Sequence, residues 1–83
     1  MYFVYILRTS KNTLYTGQTN NLERRMREHS EKLGRGAKYM RAFDSFELVY
    51  KESLETRGEA LKREAKLKKL TRVKKELLLN QIS

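Results

Sequence analysis

The chain has no cysteine, no proline and no tryptophan among its 83 residues, and it holds only four glycines and one histidine. Without cysteine it can build neither a disulfide nor a thiolate zinc site, which fits a reducing cytoplasm. Without proline, and with Gly58 as the one interior weak point, the segment from Leu54 onward has nothing to stop it being helical. Long apolar runs are missing too: none approaches the roughly 20 residues that a membrane helix needs, and the opening MYFVYIL lacks the basic leader of a signal peptide. These absences point to a cytoplasmic protein with no membrane partner. At this length residues 1–83 are expected to form one domain with a modest core.

Acidic residues are also scarce. Ten Asp and Glu face nineteen Lys and Arg, for a net charge of +9 and a pI near 10.0. Such an excess repels itself in a compact chain, so a polyanionic partner is expected: nucleic acid first, an anionic membrane surface second, or no special partner at all. Charge alone names no chemistry.

What is present begins with two apolar, aromatic runs. Tyr2, Val4 and Ile6 alternate with Phe3, Tyr5 and Leu7, so both faces of an extended strand are apolar, as in a central strand covered on both sides. Leu14-Tyr15-Thr16-Gly17 is a second strand ending on a glycine. Tyr5 and Tyr15 share a face only if the loop between them has an odd length. Ser10-Lys11-Asn12 between Thr9 and Thr13 satisfies that, with Asn12 suited to the positive φ that a three-residue loop requires. Ser45 to Ser53 alternates as a third strand, with Phe46, Leu48 and Tyr50 expected on one face.

Helical segments fill most of the rest. Capping residues at Gln18 to Asn21 precede a helix over Leu22 to Leu33, whose apolar stripe, Leu22, Met26 and Leu33, includes His29 and has Arg25 at its edge. The segment Gly34 to Asp44 carries Arg35, Lys38 and Arg41 around Tyr39 and Met40. It reads either as a phosphate-contacting loop and short helix or as a solvated connector. A helix follows over about Thr56 to Leu70, then Thr71 as an N-cap and a last helix over Arg72 to Asn80, with Val73, Leu77 and Leu78 expected inward. Eight of the fourteen residues from Lys62 to Lys75 are Lys or Arg, and Lys62, Lys66 and Lys69 join Arg35, Lys38 and Arg41 as candidate nucleic-acid contacts.

Glu64 lies in the apolar arc marked by Ala60, Leu61 and Leu67. A buried carboxylate needs a cation or protonates, so Glu64 is either a ligand-binding group or half of an ordinary pair with Lys68 one turn on.

Val4-Tyr5-Ile6 and Tyr15-Thr16-Gly17, at this separation, resemble the two half-motifs of the GIY-YIG nuclease superfamily. GRGAKY and ALKREAKLKKLTR are similar to stretches of its small stand-alone bacterial members, a group without an assigned function. The resemblance implies an α/β (α+β) fold, a small, mostly antiparallel three-stranded sheet flanked by helices. It also implies a catalytic arginine at Arg25, a catalytic histidine at His29, catalytic tyrosines at Tyr5 and Tyr15, and Glu64 as the ligand of Mg²⁺ or Mn²⁺. The implied activity is endonucleolytic hydrolysis of DNA, in repair or recombination, with a protein partner supplying specificity. The rival is a non-catalytic basic module that binds nucleic acid on the same scaffold. Phosphodiester hydrolysis suits these residue types: a metal and an arginine neutralise phosphoryl oxygens, and a tyrosine whose pKa is lowered by nearby cations takes a proton from water. Two positions depart from the family pattern. Gln18 stands where many members carry lysine, and Glu76 where some carry asparagine, the nearest being Asn80.

Overall fold

The computed structural model describes residues 1–30 and 45–80. Three strands, β1 (Tyr2–Thr9), β2 (Leu14–Thr19) and β3 (Phe46–Leu54), form one antiparallel sheet in the order β2-β1-β3. Three helices accompany it: α1 (Leu22–Ser30), α2 (Arg57–Lys69) and α3 (Arg72–Asn80). The fold is α+β, as expected. Among the described residues no helix is long and apolar enough to cross a membrane. The segment Gly34 to Asp44, with Arg35, Lys38 and Arg41, and the extension of α1 to Leu33 lie outside the described residues.

The central place of β1 follows from its two apolar faces, and Val4, Tyr5, Ile6 and Leu7 are all fully buried. Val4 and Ile6 pack with Tyr50, Ala60, Leu67 and Leu79 on one face. Tyr5 and Leu7 pack with Tyr15, Leu22, Met26 and Phe46 on the other, so α1 covers that second face.

The β1–β2 turn has the three-residue form. Leu7 pairs with Tyr15 and Arg8 with Leu14, Thr9 N–H donates to the Thr13 carbonyl at 2.9 Å, and Asn12 takes φ 63°. Tyr15 therefore shares a face with Leu7 and Tyr5.

β3 departs from simple alternation. Ile6 pairs with Tyr50 but Leu7 with Leu48, which leaves Val49 as an extra residue in a β-bulge. The bulge reverses the facing of everything beyond it. Phe46 and Leu48 lie on the Tyr5 face while Tyr50 turns into the Ile6 core, so the three do not share a face as their alternation suggested.

The helix starts are locally determined. Asn21 Oδ1 accepts from Arg24 N–H at 3.0 Å, Thr56 Oγ1 from Glu59 N–H at 3.1 Å, and Thr71 Oγ1 from Lys74 N–H at 3.3 Å. The orientation of α3 is not. Leu79 is buried and Leu78 packs beside it, whereas Val73 and Leu77 are 69% and 57% exposed, contrary to expectation. Both lie about 120–160° around the helix from Leu79, so a nine-residue helix cannot bury all of them. The choice is made by Glu76, which accepts two hydrogen bonds from Arg8 of β1, at 2.6 and 3.3 Å, and one from Arg72 at 3.2 Å. That two-pronged contact turns the Glu76–Leu79 side toward the sheet.

Asn12→Val should cost about 1–3 kcal/mol because a β-branched residue resists positive φ, while Asn12→Gly should stay within about 1 kcal/mol of the wild type. Urea denaturation of the two variants checks this difference.

Candidate active site

Tyr5 projects from the middle of β1 and lies over Gly17, its partner on β2. A Cβ at position 17 would sit 2.5 Å from the Tyr5 hydroxyl oxygen and 2.7 Å from the ring carbon bearing it. The ring is fully buried and has no room to yield, so the glycine is required by the tyrosine's approach.

A buried phenol needs partners, and α1 supplies both. Arg25 Nε donates to the Tyr5 oxygen at 3.4 Å, and the same oxygen lies 3.0 Å from His29 Nε2. Arg25 Nε donates, which leaves the phenol hydrogen free to go to His29 Nε2 in the tautomer that carries the imidazole proton on Nδ1. Nδ1 is buried with no hydrogen-bond partner among the described residues. The His29 ring meets three aromatic rings edge-on: Tyr5 at 5.9 Å, Tyr15 at 5.6 Å and Phe46 at 5.9 Å between centroids. Tyr5 and Tyr15 lie 6.4 Å apart. The structure thus gathers Tyr5, Tyr15, Arg25 and His29 into one cluster.

Burial sets the proton affinities. It pushes the Tyr5 phenol up to about 12, with the Arg25 hydrogen bond opposing and the Tyr15 and Glu64 charges adding to the rise. It lowers His29 to about 4, helped by the Arg25 charge and opposed by Glu28. The expectation of a lowered pKa is corrected for Tyr5: loss of water around the oxygen outweighs the neighbouring cation. At neutral pH the phenol keeps its proton and the imidazole is uncharged.

Glu64 lies on α2, across the sheet from α1. Its side chain is 19% exposed and pairs with Lys68 at 3.4 Å, so the helix-surface pair forms even though the carboxylate is largely covered. Leu61 is 43% exposed, which makes the apolar arc narrower than its sequence suggests. The charge of Glu64 is felt at Tyr5, where it adds to the rise in the phenol's pKa. The helix that carries it is locked to β3: Arg63 Nε donates to Glu52 at 3.0 Å, and the Tyr50 hydroxyl donates to the same carboxylate oxygen.

No group of three His, Cys, Asp or Glu able to hold a metal occurs among the described residues. The fit is to a hard divalent cation such as Mg²⁺, which keeps much of its water and needs only one or two carboxylates plus substrate phosphate oxygens. Glu64 would be the protein's ligand, in exchange for its partly exposed contact with Lys68.

Beside the cluster is an open cleft of about 330 Å³ lined by Gln18, Asn20, Arg24, Arg25, Glu28 and Arg57, among others. Sequence reasoning passed over Arg24 and Arg57, which carry no motif and come from different helices. Lys62 and Lys66 line a separate depression with Leu54 and Arg63, and Lys69 is exposed near the end of α2. Glu76, at the position where asparagine occurs in some members, is taken up by Arg8 and Arg72.

A paired-tyrosine hairpin with an arginine and a histidine brought over it by the next helix is the arrangement expected of a GIY-YIG domain. The family model for the GIY-YIG catalytic domain matches residues 1–76, and the chain belongs to that family. It is 44% identical over 80 residues to a UPF0213 protein of Bacillus velezensis, covering 96% of this chain and 79% of that one. It is 47% identical over 83 residues to a UPF0213 protein of Clostridium perfringens, covering 100% and 87%. The solution NMR structure of the UPF0213 protein BH0048 from Bacillus halodurans superposes with a TM-score of 0.63 at 38% identity, covering 98% of this chain and 85% of that one. GIY-YIG domains are usually nucleases and commonly use divalent metal ions, which suggests a nucleic-acid substrate.

Gly17→Ala should displace the Tyr5 ring and cost about 1–3 kcal/mol in urea denaturation, the usual range for an overpacked core. His29 gives the protein a defined acid sensitivity. Its folded pKa, about 4, lies below the unfolded value of 6.5, so the unfolded state binds more protons between them. Stability should therefore be fully present above pH 6.5 and fall by roughly 3 kcal/mol as pH drops toward 4. Denaturation midpoints across that window should be flatter for His29→Phe than for the wild type.

Proposed function

We propose that the protein is a metal-dependent endonuclease that hydrolyses phosphodiester bonds in DNA, acting in repair or recombination. The observation that carries this reading is the Tyr5 hydroxyl held between Arg25 Nε and His29 Nε2 on the face shared with Tyr15.

A phenol with a pKa of about 12 is not ionised at rest, so it works as a relay. When substrate binding admits a water to the Tyr5 oxygen, that water gives its proton to the oxygen as the phenol hydrogen passes to His29 Nε2. The hydroxide attacks phosphorus, the bond from phosphorus to the leaving oxygen breaks, and the leaving oxygen takes a proton from solvent. The His29 imidazolium then returns its proton through Tyr5 to solvent, which restores the starting state. Arg25 steadies the charge on the phenol oxygen as it exchanges protons and presents a guanidinium to the phosphoryl oxygens. Held by Glu64, a divalent cation would supply Lewis-acid charge to the phosphate.

Incubating the protein with branched, damaged and single-stranded DNAs, with and without Mg²⁺ or Mn²⁺, tests the reading. Glu64→Gln should abolish metal-dependent cleavage while fold and DNA affinity stay nearly intact, because glutamine keeps the size and loses the charge. Arg25→Ala should slow the chemical step by roughly 10²–10³-fold. Binding without cleavage across all metals and substrates would favour the non-catalytic module instead.

A further inference from the structure

The cleft beside the tyrosine cluster contains more positive charge than its own structure uses. Among the described residues three guanidinium groups, Arg24, Arg25 and Arg57, line it with one carboxylate, Glu28, a net of two positive charges. Glu28 is engaged by Arg25 at 3.3 Å. The Arg24 guanidinium donates to the neutral Asn20 amide oxygen at 3.2 Å, and among the described residues neither Arg24 nor Arg57 forms an ion pair. Like charges gathered in one concavity add their fields, which makes the cleft attractive to an anion.

We propose that this cleft binds the phosphate adjacent to the one at the reaction centre, on the same nucleic-acid strand, with Arg24 and Arg57 as its ligands. The assignment rests on the nuclease reading for the position of the first phosphate. Arg25 belongs to both places: Nε meets the Tyr5 oxygen, and the same side chain lines the cleft. A strand with one phosphate at Arg25 must continue past it, and the cleft is the continuation that carries matching charge. Paired guanidinium forks suit phosphate oxygens, and the neutral amides of Gln18 and Asn20 on the wall can meet sugar or base edges without adding charge. The ligand chemistry is a phosphodiester backbone, which DNA and RNA share.

The test is binding of fluorescein-labelled DNA and RNA oligonucleotides of one sequence, measured by anisotropy in EDTA over a range of salt. Arg57→Ala and Arg24→Ala should each weaken binding by about 5-fold or more and reduce the slope of log affinity against log salt by roughly 0.7–0.9. Lys11→Ala removes an exposed hairpin cation outside the cleft and should change affinity by less than about 2-fold. Arg57→Lys should recover part of the loss. Cleavage by the same variants, if the wild type cuts, should show a raised KM with kcat within about 2-fold of the wild type. Equal effects of Arg57→Ala and Lys11→Ala would overturn the proposal whether or not the protein cleaves. A wild type that binds but never cuts, with the Arg57 effect present, would overturn the nuclease reading and leave the phosphate site standing. Loss with DNA alone or with RNA alone would support the site and identify its source.

Discussion

One buried oxygen, the Tyr5 hydroxyl, constrains the whole reactive face. A hydroxyl taken out of water costs about 1–3 kcal/mol if its hydrogen bonds are not replaced, so two partners must reach it across the sheet. Those partners are Arg25 and His29, one turn apart on α1, and they reach it because Leu22 and Met26 seat that helix on the Tyr5–Leu7 face. The same demand explains Gly17, since any side chain there would occupy the space of the phenol.

That burial also determines what the cluster can do. The desolvation that makes Tyr5 a weaker acid makes His29 a weaker base, and the two effects together leave a protonated phenol beside a neutral imidazole. Proton transfer between them needs no ionised group at rest. The cation on Arg25 is the asymmetric element: it favours negative charge on the phenol oxygen and disfavours a proton on the imidazole.

The other sheet face does mechanical work. Val4 and Ile6 meet Ala60, Leu67 and Leu79 there, and the Arg63–Glu52–Tyr50 contacts hold α2 against β3. Glu64 follows Arg63 directly in the chain, so this lock determines where the one candidate metal ligand sits. Glu76 has a comparable part in α3. Its contact with Arg8 leaves Val73 and Leu77 in solvent and joins the last helix to the central strand.

Much of this was legible before any coordinates, for a local reason. Caps at Asn21 and Thr71 act within four residues, the odd loop at Ser10-Lys11-Asn12 follows from side-chain parity, and the α1 stripe is helical arithmetic. The shared face of Tyr5 and Tyr15, and the placing of Arg25 and His29 toward them, came from those rules and from the motif spacing. What tertiary structure alone decided depends on contacts far apart in sequence. The bulge at Val49 depends on how β3 fits β1, the facing of α3 depends on an arginine 68 residues before its partner, and the high pKa of Tyr5 depends on how completely two layers exclude water. The cleft arginines are of the same kind. Arg24 and Arg57 lie in ordinary polar sequence, and only the packing of two helices against one sheet end makes their charges neighbours.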